Sequence, residues 1–373
     1  MTEPVLIIGG GIAGLALARA LHRHGIAYTL YERREQAADA GLAVNLPGNA
    51  ITALGRLGLG DEIAAAGHPV LRREYRTGRG RLLFQVDERE FWGAEAQPRC
   101  VRRTDLHRIL RDGLPDGTVH EGAGVTAVRQ DPGAAEIDLA DGSTVRGSLV
   151  VGADGVRSTV RRAAFGDDGV RAALLSGASF RFMAPNPGVD CWAVWAGTYG
   201  TYLLIPVSPA EVYGFACATR GGPAEPDPAW LTETFAGFPE PVRQTVEAAT
   251  ADPAQLYHSP IEEVRVPRWA HGRAVLIGDA AHATAPVWAQ GAALALEDAE
   301  VLAGLLAAGA DAPAAAAEYE RVRRPRVTHV QTQTDRFSRT AAVPGWVRAI
   351  TAPLGGRASY RAAYGPLREW PAR

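Results

Sequence analysis

Three glycines near the start of the chain have the spacing of a pyrophosphate cradle. Gly9, Gly11 and Gly14 fit the pattern G-x-G-x-x-G, in which glycines allow a tight turn and a close approach of phosphate to the backbone. A helix that follows such a turn adds free N–H groups and a positive dipole. Glu32, at the end of the next apolar run, is placed to accept hydrogen bonds from ribose hydroxyls. These residues predict a dinucleotide site, and the alternative is a glycine-rich turn without a ligand.

A second carboxylate ends an apolar run late in the chain. Asp279 follows the run VLIG, and a loop with Pro286 and Trp288 then leads to an Ala/Leu-rich helix that starts near Gly291. The last backbone groups of a strand and the first of a helix converge at such a place, which indicates a ligand site. His282 lies in the same loop. With no second histidine or carboxylate at ligand spacing, we interpret it as part of the scaffold and predict no metal site.

The elements that must position these residues follow from hydrophobic periodicity. This periodicity predicts one β-α-β unit over residues 4–32. Over residues 122–151, approximately, it predicts antiparallel strands separated by Pro-Gly and Asp-Gly turns. Segment 122–127 fits G-x-G-x-x-A, but it alternates as a strand, so we reject it as a second dinucleotide fold. The aromatic-rich residues 176–217 predict a separate sheet. A Pro-rich link at 221–230 precedes a helical segment to about 251, and further helices are predicted over about 291–308 and 313–341.

The composition excludes several classes of function. A net charge of −2 and a pI near 6.5 argue against a nucleic-acid partner. The chain has no lysine, which removes Schiff-base and P-loop chemistry from consideration. Its cysteines, 3 in number, are far apart without a C-x-x-C pair, which is typical of structural thiols in a cytoplasmic protein. The first apolar run lacks a basic flank and is broken by glycines, so neither a signal peptide nor a membrane span is expected.

Two further segments show a family resemblance. LVVGADGVRSTVRR (149–162) and VLIGDAAHATAPVWAQG (275–291), together with the glycine pattern, resemble the three motifs of the class A FAD-dependent monooxygenases, the family of p-hydroxybenzoate hydroxylase and salicylate hydroxylase. The resemblance extends to CVRRTDLHRIL, GLAVNLPGNAITALGRLGL and YERVRRPRV, and it is faint across residues 170–260. With one β-α-β unit, the chain is expected to bind one dinucleotide, which the resemblance identifies as non-covalent FAD.

The resemblance implies an α/β fold in which a Rossmann-type FAD-binding domain carries an inserted β-sheet substrate domain and C-terminal helices. The FAD-binding domain is expected to be discontinuous, over residues 1–68, 99–170 and 266–332. The β-rich substrate domain is expected over 69–98 and 171–265, and a C-terminal helical segment over 333–373.

The resemblance also assigns cofactor contacts. It implies that Gly9, Gly11 and Gly14 surround the pyrophosphate, that Glu32 binds the adenosine ribose and that Asp279 binds a ribityl hydroxyl. It assigns Arg103 to the diphosphate and ribityl region, and Asp154 to both FAD and the pyridine nucleotide. The other cofactor positions that it implies are Ile12, Ala13, Arg33, Val125, Gly278, Pro286, Gly291 and Ala292. Asp279, Asp154 and Arg103 each have an alternative interpretation as a helix cap or a surface ion pair.

One position departs from the family pattern. The family usually reads P-x-x-G-Q-G across the loop beside the flavin, whereas this chain has Ala289 at the first glycine and Trp288 before it. An added methyl group is expected to constrain the loop or crowd the flavin. Pro286, Trp288 and Ala289 are therefore the candidate residues at the flavin face, although no side chain is assigned as a catalyst.

The aromatic segment suggests a substrate pocket. Trp192, Tyr199, Tyr202 and Phe215 lie on strands expected to cover the flavin, and they predict a site for a flat apolar or aromatic molecule. The alternative for each is the sheet core.

The expected activity is hydroxylation of an aromatic or polyketide-like molecule, in a monomer or homodimer. NADPH or NADH would reduce FAD, O2 would form a flavin C4a-hydroperoxide, and its distal oxygen would pass to the substrate. The alternatives are an FAD-dependent oxidase or dehydrogenase, and a flavin-binding scaffold that steers a biosynthetic intermediate without redox turnover.

Overall fold

The computed structural model describes residues 3–35, 42–166, 169–173, 176–219, 221–223, 225, 227–341, 343 and 345–371. Residues 224 and 226 of the predicted Pro-rich link lie outside the described residues.

Within the described ranges, the strands form one mixed, mostly parallel sheet, one large, mostly antiparallel sheet and three small ones. In chain order they are β1 (Val5–Ile8), β2 (Tyr28–Tyr31), β3 (Ala43–Leu46), β4 (His68–Pro69), β5 (Arg72–Thr77), β6 (Leu82–Asp87), β7 (Arg99–Arg102), β8 (Val119–His120), β9 (Val125–Gln130), β10 (Ala135–Leu139), β11 (Thr144–Gly147), β12 (Leu149–Gly152), β13 (Val170–Ala172), β14 (Ala178–Pro185), β15 (Trp192–Ala196), β16 (Gly200–Pro206), β17 (Glu211–Ala218), β18 (Tyr257–Pro260), β19 (Glu262–Val264), β20 (Ala270–His271) and β21 (Ala274–Leu276).

The helices surround these sheets. In chain order they are α1 (Ile12–Arg23), α2 (Gly48–Arg56), α3 (Gly60–Ala66), α4 (Glu88–Trp92), α5 (Arg103–Arg111), α6 (Thr159–Phe165), α7 (Pro228–Phe235), α8 (Glu240–Ala251), α9 (Asp279–His282), α10 (Gly291–Ala307), α11 (Ala312–Ala341) and α12 (Gly345–Tyr364).

The mostly parallel sheet has the strand order β20-β21-β12-β1-β2-β8. β1 pairs in parallel with both β2 and β12, and β12 pairs in parallel with β21. The predicted β-α-β unit is confirmed, because α1 connects β1 to β2 and the short apolar run Val5–Ile8 is completely buried. Helix α1 packs against β1 and β2, and α10 packs against α1.

The expectation of antiparallel strands throughout residues 122–151 was wrong at its end. β9, β10 and β11 do form an antiparallel sheet, and segment 122–127 leads into strand β9 as expected. Leu149–Gly152, however, is β12 of the mostly parallel sheet. All four of its residues are buried, and burial on both faces is typical of a parallel strand covered by helices on each side.

The large sheet has the strand order β18-β14-β17-β16-β15-β5-β6, in which β15 and β5 pair in parallel and the other neighbours pair antiparallel. One of its faces packs against α7 and α8 through Phe182, Tyr202, Leu204 and Phe235. Val194 lies on the opposite face of the sheet, since successive side chains of a strand point to opposite faces. β5 and β6 reach this sheet from residues 72–87, so the sheet joins two separate stretches of sequence.

The C-terminal part of the chain is helical. α11 runs without interruption through the predicted domain boundary at residue 332 and contains Pro325, and α12 follows it. Among the described residues, no helix is both long enough and apolar enough to cross a lipid bilayer.

Candidate functional site

The residues predicted to bind a ligand gather at one edge of the mostly parallel sheet. Gly9 follows β1, Glu32 follows β2, Asp154 lies beyond β12, and Asp279 lies beyond β21. The carboxyl ends of parallel strands meet at the same edge, and ligands of open α/β sheets bind in the crevice outside that edge. The sheet therefore brings together four positions that are far apart in the sequence.

In the glycine turn after β1, packing requires two of the glycines, and a third faces open space. Gly9 has φ of +109°, and a Cβ atom there would lie 2.4 Å from the carbonyl oxygen of Ala153. A Cβ atom on Gly14 would lie 1.9 Å from the carbonyl oxygen of Gly9, so packing requires glycine at both positions. Gly11 has no neighbouring atom within 4 Å of such a Cβ, which leaves space in front of the N-terminus of α1.

A small hollow of about 90 Å³ lies beside this turn. The predicted residues among those that line it are Gly11, Ile12, Glu32 and Arg103. The carboxylate of Glu32 accepts hydrogen bonds from the backbone N–H groups of Gly10, at 2.6 Å, and of Arg34, at 2.9 Å. Glu32 is thus held beside the glycine turn, where a carboxylate can also meet the hydroxyls of a sugar.

Sequence analysis missed four polar residues of this hollow: Arg34, His107, Arg111 and Glu121. The side chain of His107 contacts the carbonyl oxygen of Gly10, with Nε2 at 3.0 Å. His107 and Arg111 follow Arg103 at intervals of four residues, so all three lie on one face of α5. That spacing was a usable signal in the sequence. Arg33 is exposed and does not line the hollow, and neither do Val125, at the start of β9, or Ala13, buried on α1.

Asp154 has a structural role in addition to the predicted one. Its Oδ2 atom accepts hydrogen bonds from the backbone N–H groups of Thr159, at 2.7 Å, and Val160, at 3.2 Å, at the start of α6. Its Oδ1 atom is buried without a hydrogen-bond partner among the described residues. Burial raises the pKa of this carboxyl group above its usual range, against the effect of those hydrogen bonds. The helix-cap interpretation thus accounts for one of its two oxygens.

Asp279 is exposed, whereas its neighbours Gly278 and Ala280 are buried. Its carboxylate lies beside the N-terminus of α10, because a Cβ atom on Gly291 would be 3.8 Å from Oδ1. Gly278 has φ of +57°, and a Cβ atom there would lie 2.8 Å from that of Ala13, so this glycine lets α1 and the turn approach each other. Pro286, Gly291 and Ala292 are at least partly accessible around this carboxylate.

His282 belongs to a buried ionic network rather than to an open site. Its Nε2 atom lies 2.6 Å from Oδ2 of Asp298, and the same oxygen accepts a hydrogen bond from the backbone N–H of Gly278. Arg323 binds Asp298 at 2.7 Å and Glu297 at 2.6 Å. Burial alone would raise the pKa of Asp298, but His282 and Arg323 outweigh it and lower that pKa to about 2. The network fixes the turn that presents Asp279.

The loop before α10 carries an unusual backbone conformation. Ala289 has φ of +51°, and it is the one non-glycine residue with positive φ in the described ranges. A left-handed conformation costs an L-residue with a Cβ atom about 1–2 kcal/mol. The family glycine at this position therefore has a physical basis, and this chain keeps the conformation with alanine.

The neighbours of Ala289 hold the loop on both sides. The carbonyl oxygen of Trp288 accepts a hydrogen bond of 2.6 Å from the hydroxyl of Tyr364 on α12. The side-chain amide of Gln290 is buried and exchanges hydrogen bonds with that of Asn49 on α2. These contacts keep Ala289 in its left-handed conformation.

A cavity of about 1240 Å³ opens between the large sheet, α12 and this loop. Trp288, Phe337 and Tyr360 line one end of it, and Tyr75 and Val194 line the sheet side. Of the four predicted pocket residues, Tyr199 lines this cavity. Trp192 is buried against Tyr75, and Phe215 packs near Ala285 and Val287.

The prediction that Tyr202 lines the pocket does not match the structure. Its side chain is completely buried on the opposite face of the sheet, where its hydroxyl lies 2.9 Å from Oγ1 of Thr245. Strand alternation sends Tyr202 to the face covered by α7 and α8, and the sequence did not show which face that was.

The known proteins that this chain resembles point to one family. Residues 2–334 match the model of a protein family described as an FAD binding domain. The aurachin C monooxygenase/isomerase of Stigmatella aurantiaca is 33% identical over 344 residues, which cover 86% of this chain and 85% of that protein. A 3-amino-4-hydroxybenzoate 2-monooxygenase of Streptomyces platensis is 33% identical over 350 residues, which cover 88% of this chain and 86% of that protein.

A solved structure is similar along nearly the whole chain. Klebsiella pneumoniae HpxO, crystallised with FAD and uric acid, superposes with a TM-score of 0.88 at 27% identity. The match covers 98% of this chain and 97% of that one. The predicted α/β fold and the predicted family are both confirmed.

Proposed function

This chain belongs to the family of class A FAD-dependent monooxygenases, and from that premise we propose that it hydroxylates an aromatic small molecule with NAD(P)H and O2. The observation that carries the proposal is the single edge of the parallel sheet at which Gly11, Glu32, Asp154 and Asp279 meet. That edge continues directly into the loop of Trp288 and Ala289 and so into the large cavity. A cofactor along the edge would therefore end beside a space for substrate.

The chain's residues fit an extended FAD molecule. The open space at Gly11, before the N-terminus of α1, suits the pyrophosphate, and Arg103 adds a charge and a fork of donors beside it. Glu32 would accept hydrogen bonds from the adenosine ribose, and exposed Asp279 from the ribityl chain. Gly9 and Gly14 keep the turn close to β12, and Asp154 fixes the neighbouring helix α6.

The N-terminus of α10 gives the protein an electrostatic role at the flavin ring. Gly291 and Ala292 begin a helix of 17 residues, so their free backbone N–H groups would face the pyrimidine edge of the ring. Bound FAD would accept a hydride from NAD(P)H and activate O2 at its C4a carbon. A positive helix end favours the negative charge of the reduced ring, while Trp288 and the apolar cavity wall keep water away.

A second function is favoured by one observation. The left-handed Ala289, held by the partners of Trp288 and Gln290, constrains the loop beside the ring. A flavin ring with restricted movement would suit an oxidase or dehydrogenase without oxygen insertion, or a scaffold without redox turnover. NAD(P)H consumption that aromatic compounds stimulate would separate the hydroxylase from both of these.

The experiment for the proposed function is a screen of the FAD-loaded protein. We expect at least one member of an aromatic library to stimulate NADPH or NADH oxidation and to yield a product that carries added oxygen. Comparison of the two reductants in the same screen identifies the preferred one. Failure of NADPH and NADH to reduce the bound flavin, with every compound tested, would contradict the proposal.

Replacing Ala289 with glycine tests the constrained loop. Glycine removes the cost of a left-handed alanine, so we expect the Ala289→Gly variant to unfold with a free energy about 1 kcal/mol higher than that of wild type. We also expect faster reduction of FAD in stopped-flow measurements. The matched control is Ala317→Gly, at an exposed position of α11. Its free energy of unfolding should fall by about 1 kcal/mol because glycine is a poor helix former. Unchanged stability and unchanged reduction rate would show that Ala289 imposes no constraint.

A further inference from the structure

The large cavity is longer than the site of a single aromatic ring requires. Its lining follows one face of α12 from Gly345 to Tyr360, and helical residues over that interval span about 22 Å. Its volume of about 1240 Å³ exceeds the roughly 300–1000 Å³ of ordinary small-molecule pockets. Small residues at positions such as Ala349, Ala352 and Gly355 keep this face of the helix open.

The two ends of the cavity differ in chemistry. The inner end lies at Trp288, whose ring is 5.5 Å from that of Phe337 and whose carbonyl oxygen is bound by Tyr364. This end is aromatic and adjoins the loop of Ala289. The outer end lies at the start of α12, where Trp346, Arg348 and Thr198 line the wall.

The charges around the cavity are of one sign. Four arginines line it, at positions 76, 79, 81 and 348, and none of its described lining residues is an aspartate or glutamate. Arg76 is neutralised by Glu74, at 2.6 Å. Arg81 donates to the carbonyl oxygen of Ala349, and Arg79 is exposed. The described lining residues therefore carry a net positive charge.

Arg348 is the half-buried member of this group. Its Nη2 atom donates to the carbonyl oxygen of Gly197 at 2.8 Å, and no described carboxylate lies within ion-pair distance of it. A Cβ atom built on Gly345 would be 3.9 Å from both Arg348 Nη2 and Thr198 Oγ1, so the guanidinium and the hydroxyl both lie near the start of α12. Partial burial of a cation without a counter-charge costs free energy, which an anion on the ligand would recover.

We propose that the substrate is an elongated amphipathic molecule, with an aromatic ring against Trp288 and a carboxylate or phosphate group bound by Arg348 at the other end. This inference rests on the proposed function, since it takes the inner end of the cavity as the place of oxygen transfer. The apolar middle of the cavity would hold the connecting chain. The first turn of α12 adds its own positive potential near the anion.

The test uses FAD-loaded protein and phenyl-terminated saturated chains, each kept below its critical micelle concentration. The probes are the butyric, octanoic and dodecanoic acids, and the alcohol and phosphate ester of the longest chain, with binding measured from the flavin absorbance. We expect the dodecanoic acid to bind about tenfold or more tightly than the matching alcohol, as for a charged hydrogen bond. We expect the butyric acid to bind weakly because it cannot span the cavity. The tighter of the acid and the phosphate ester identifies the terminal group.

Two variants complete the test. Arg348→Gln should abolish the preference for the acid over the alcohol, whereas Arg361→Gln, an exposed arginine on the same helix, should keep it. Equal affinities of acid and alcohol in wild type would overturn the distal anion site while leaving the proposed function intact. An equal effect of the two variants would also overturn it. If no probe perturbs the flavin spectrum, the elongated-substrate proposal is wrong, and the screen of aromatic compounds decides the proposed function separately.

Discussion

Replacing Arg323 with methionine is expected to lower the free energy of unfolding by about 3–5 kcal/mol. Arg323 is fully buried and pairs with two carboxylates that are also fully buried, Glu297 and Asp298. Methionine fills much of the same volume but removes the cation that Glu297 and Asp298 share, so that Arg326 remains the partner of Glu297 and His282 that of Asp298. Since Asp298 also binds Gly278 and His282, the variant should disturb the turn of Asp279 and weaken FAD binding as well.

Denaturant unfolding of the apoprotein measures this effect. The matched control is Arg321→Met on the same helix, where an exposed ion pair with Glu318 contributes little to stability. Similar losses in the two variants would mean that the buried network contributes no more than a surface pair.

Replacing Gly11 with alanine is expected to weaken FAD binding by at least about a hundredfold while leaving the apoprotein as stable as wild type. Gly11 has φ of −78°, which alanine adopts without strain, and a Cβ atom there touches no protein atom within 4 Å. The same Cβ would fill the space that we assign to the pyrophosphate. Each hydrogen bond from a backbone N–H group to a charged group contributes about 1.5–3 kcal/mol to binding, and the pyrophosphate would lose several of them.

Two other glycines make this prediction specific. Gly14→Ala should destabilise the apoprotein itself, because its Cβ would collide with the carbonyl oxygen of Gly9. Gly55→Ala, in α2 with open space around it, should leave FAD affinity unchanged and raise stability slightly, because alanine is the better helix former. Titration of each apoprotein with FAD, followed by flavin fluorescence, separates the three cases. Normal FAD affinity of the Gly11→Ala variant would show that the pyrophosphate does not bind at this turn.

The sequence predicted those parts of the fold that local patterns determine. Val5–Ile8, the glycine turn and Glu32 were placed correctly, because a buried strand, a tight turn and an amphipathic helix each leave a distinct signature within a few residues. The departure at Ala289 was also visible, and the structure adds its physical meaning, a left-handed backbone.

The remaining features depend on contacts between distant segments. Periodicity showed that Leu149–Gly152 was a strand, but not that its partners were β1 and β21. Strand alternation predicted that Tyr202 and its chain neighbours point to opposite faces of the sheet. Only the positions of α7 and α8 show which of the two faces is covered. The cavity along α12 had no signature either, since that helix is rich in small residues and its open face is defined by the sheet opposite.

Isotope-labelled dioxygen tests most directly whether this protein transfers oxygen from O2 to an aromatic molecule, as we propose. The FAD-loaded protein would be supplied with its preferred nicotinamide reductant, labelled O2 and a compound that stimulates reductant consumption, and the product would be weighed by mass spectrometry. We expect one labelled oxygen atom in the product, and none when FAD is left out. A product that forms at the same rate but carries no oxygen from O2 would contradict the account and identify an oxidase or dehydrogenase.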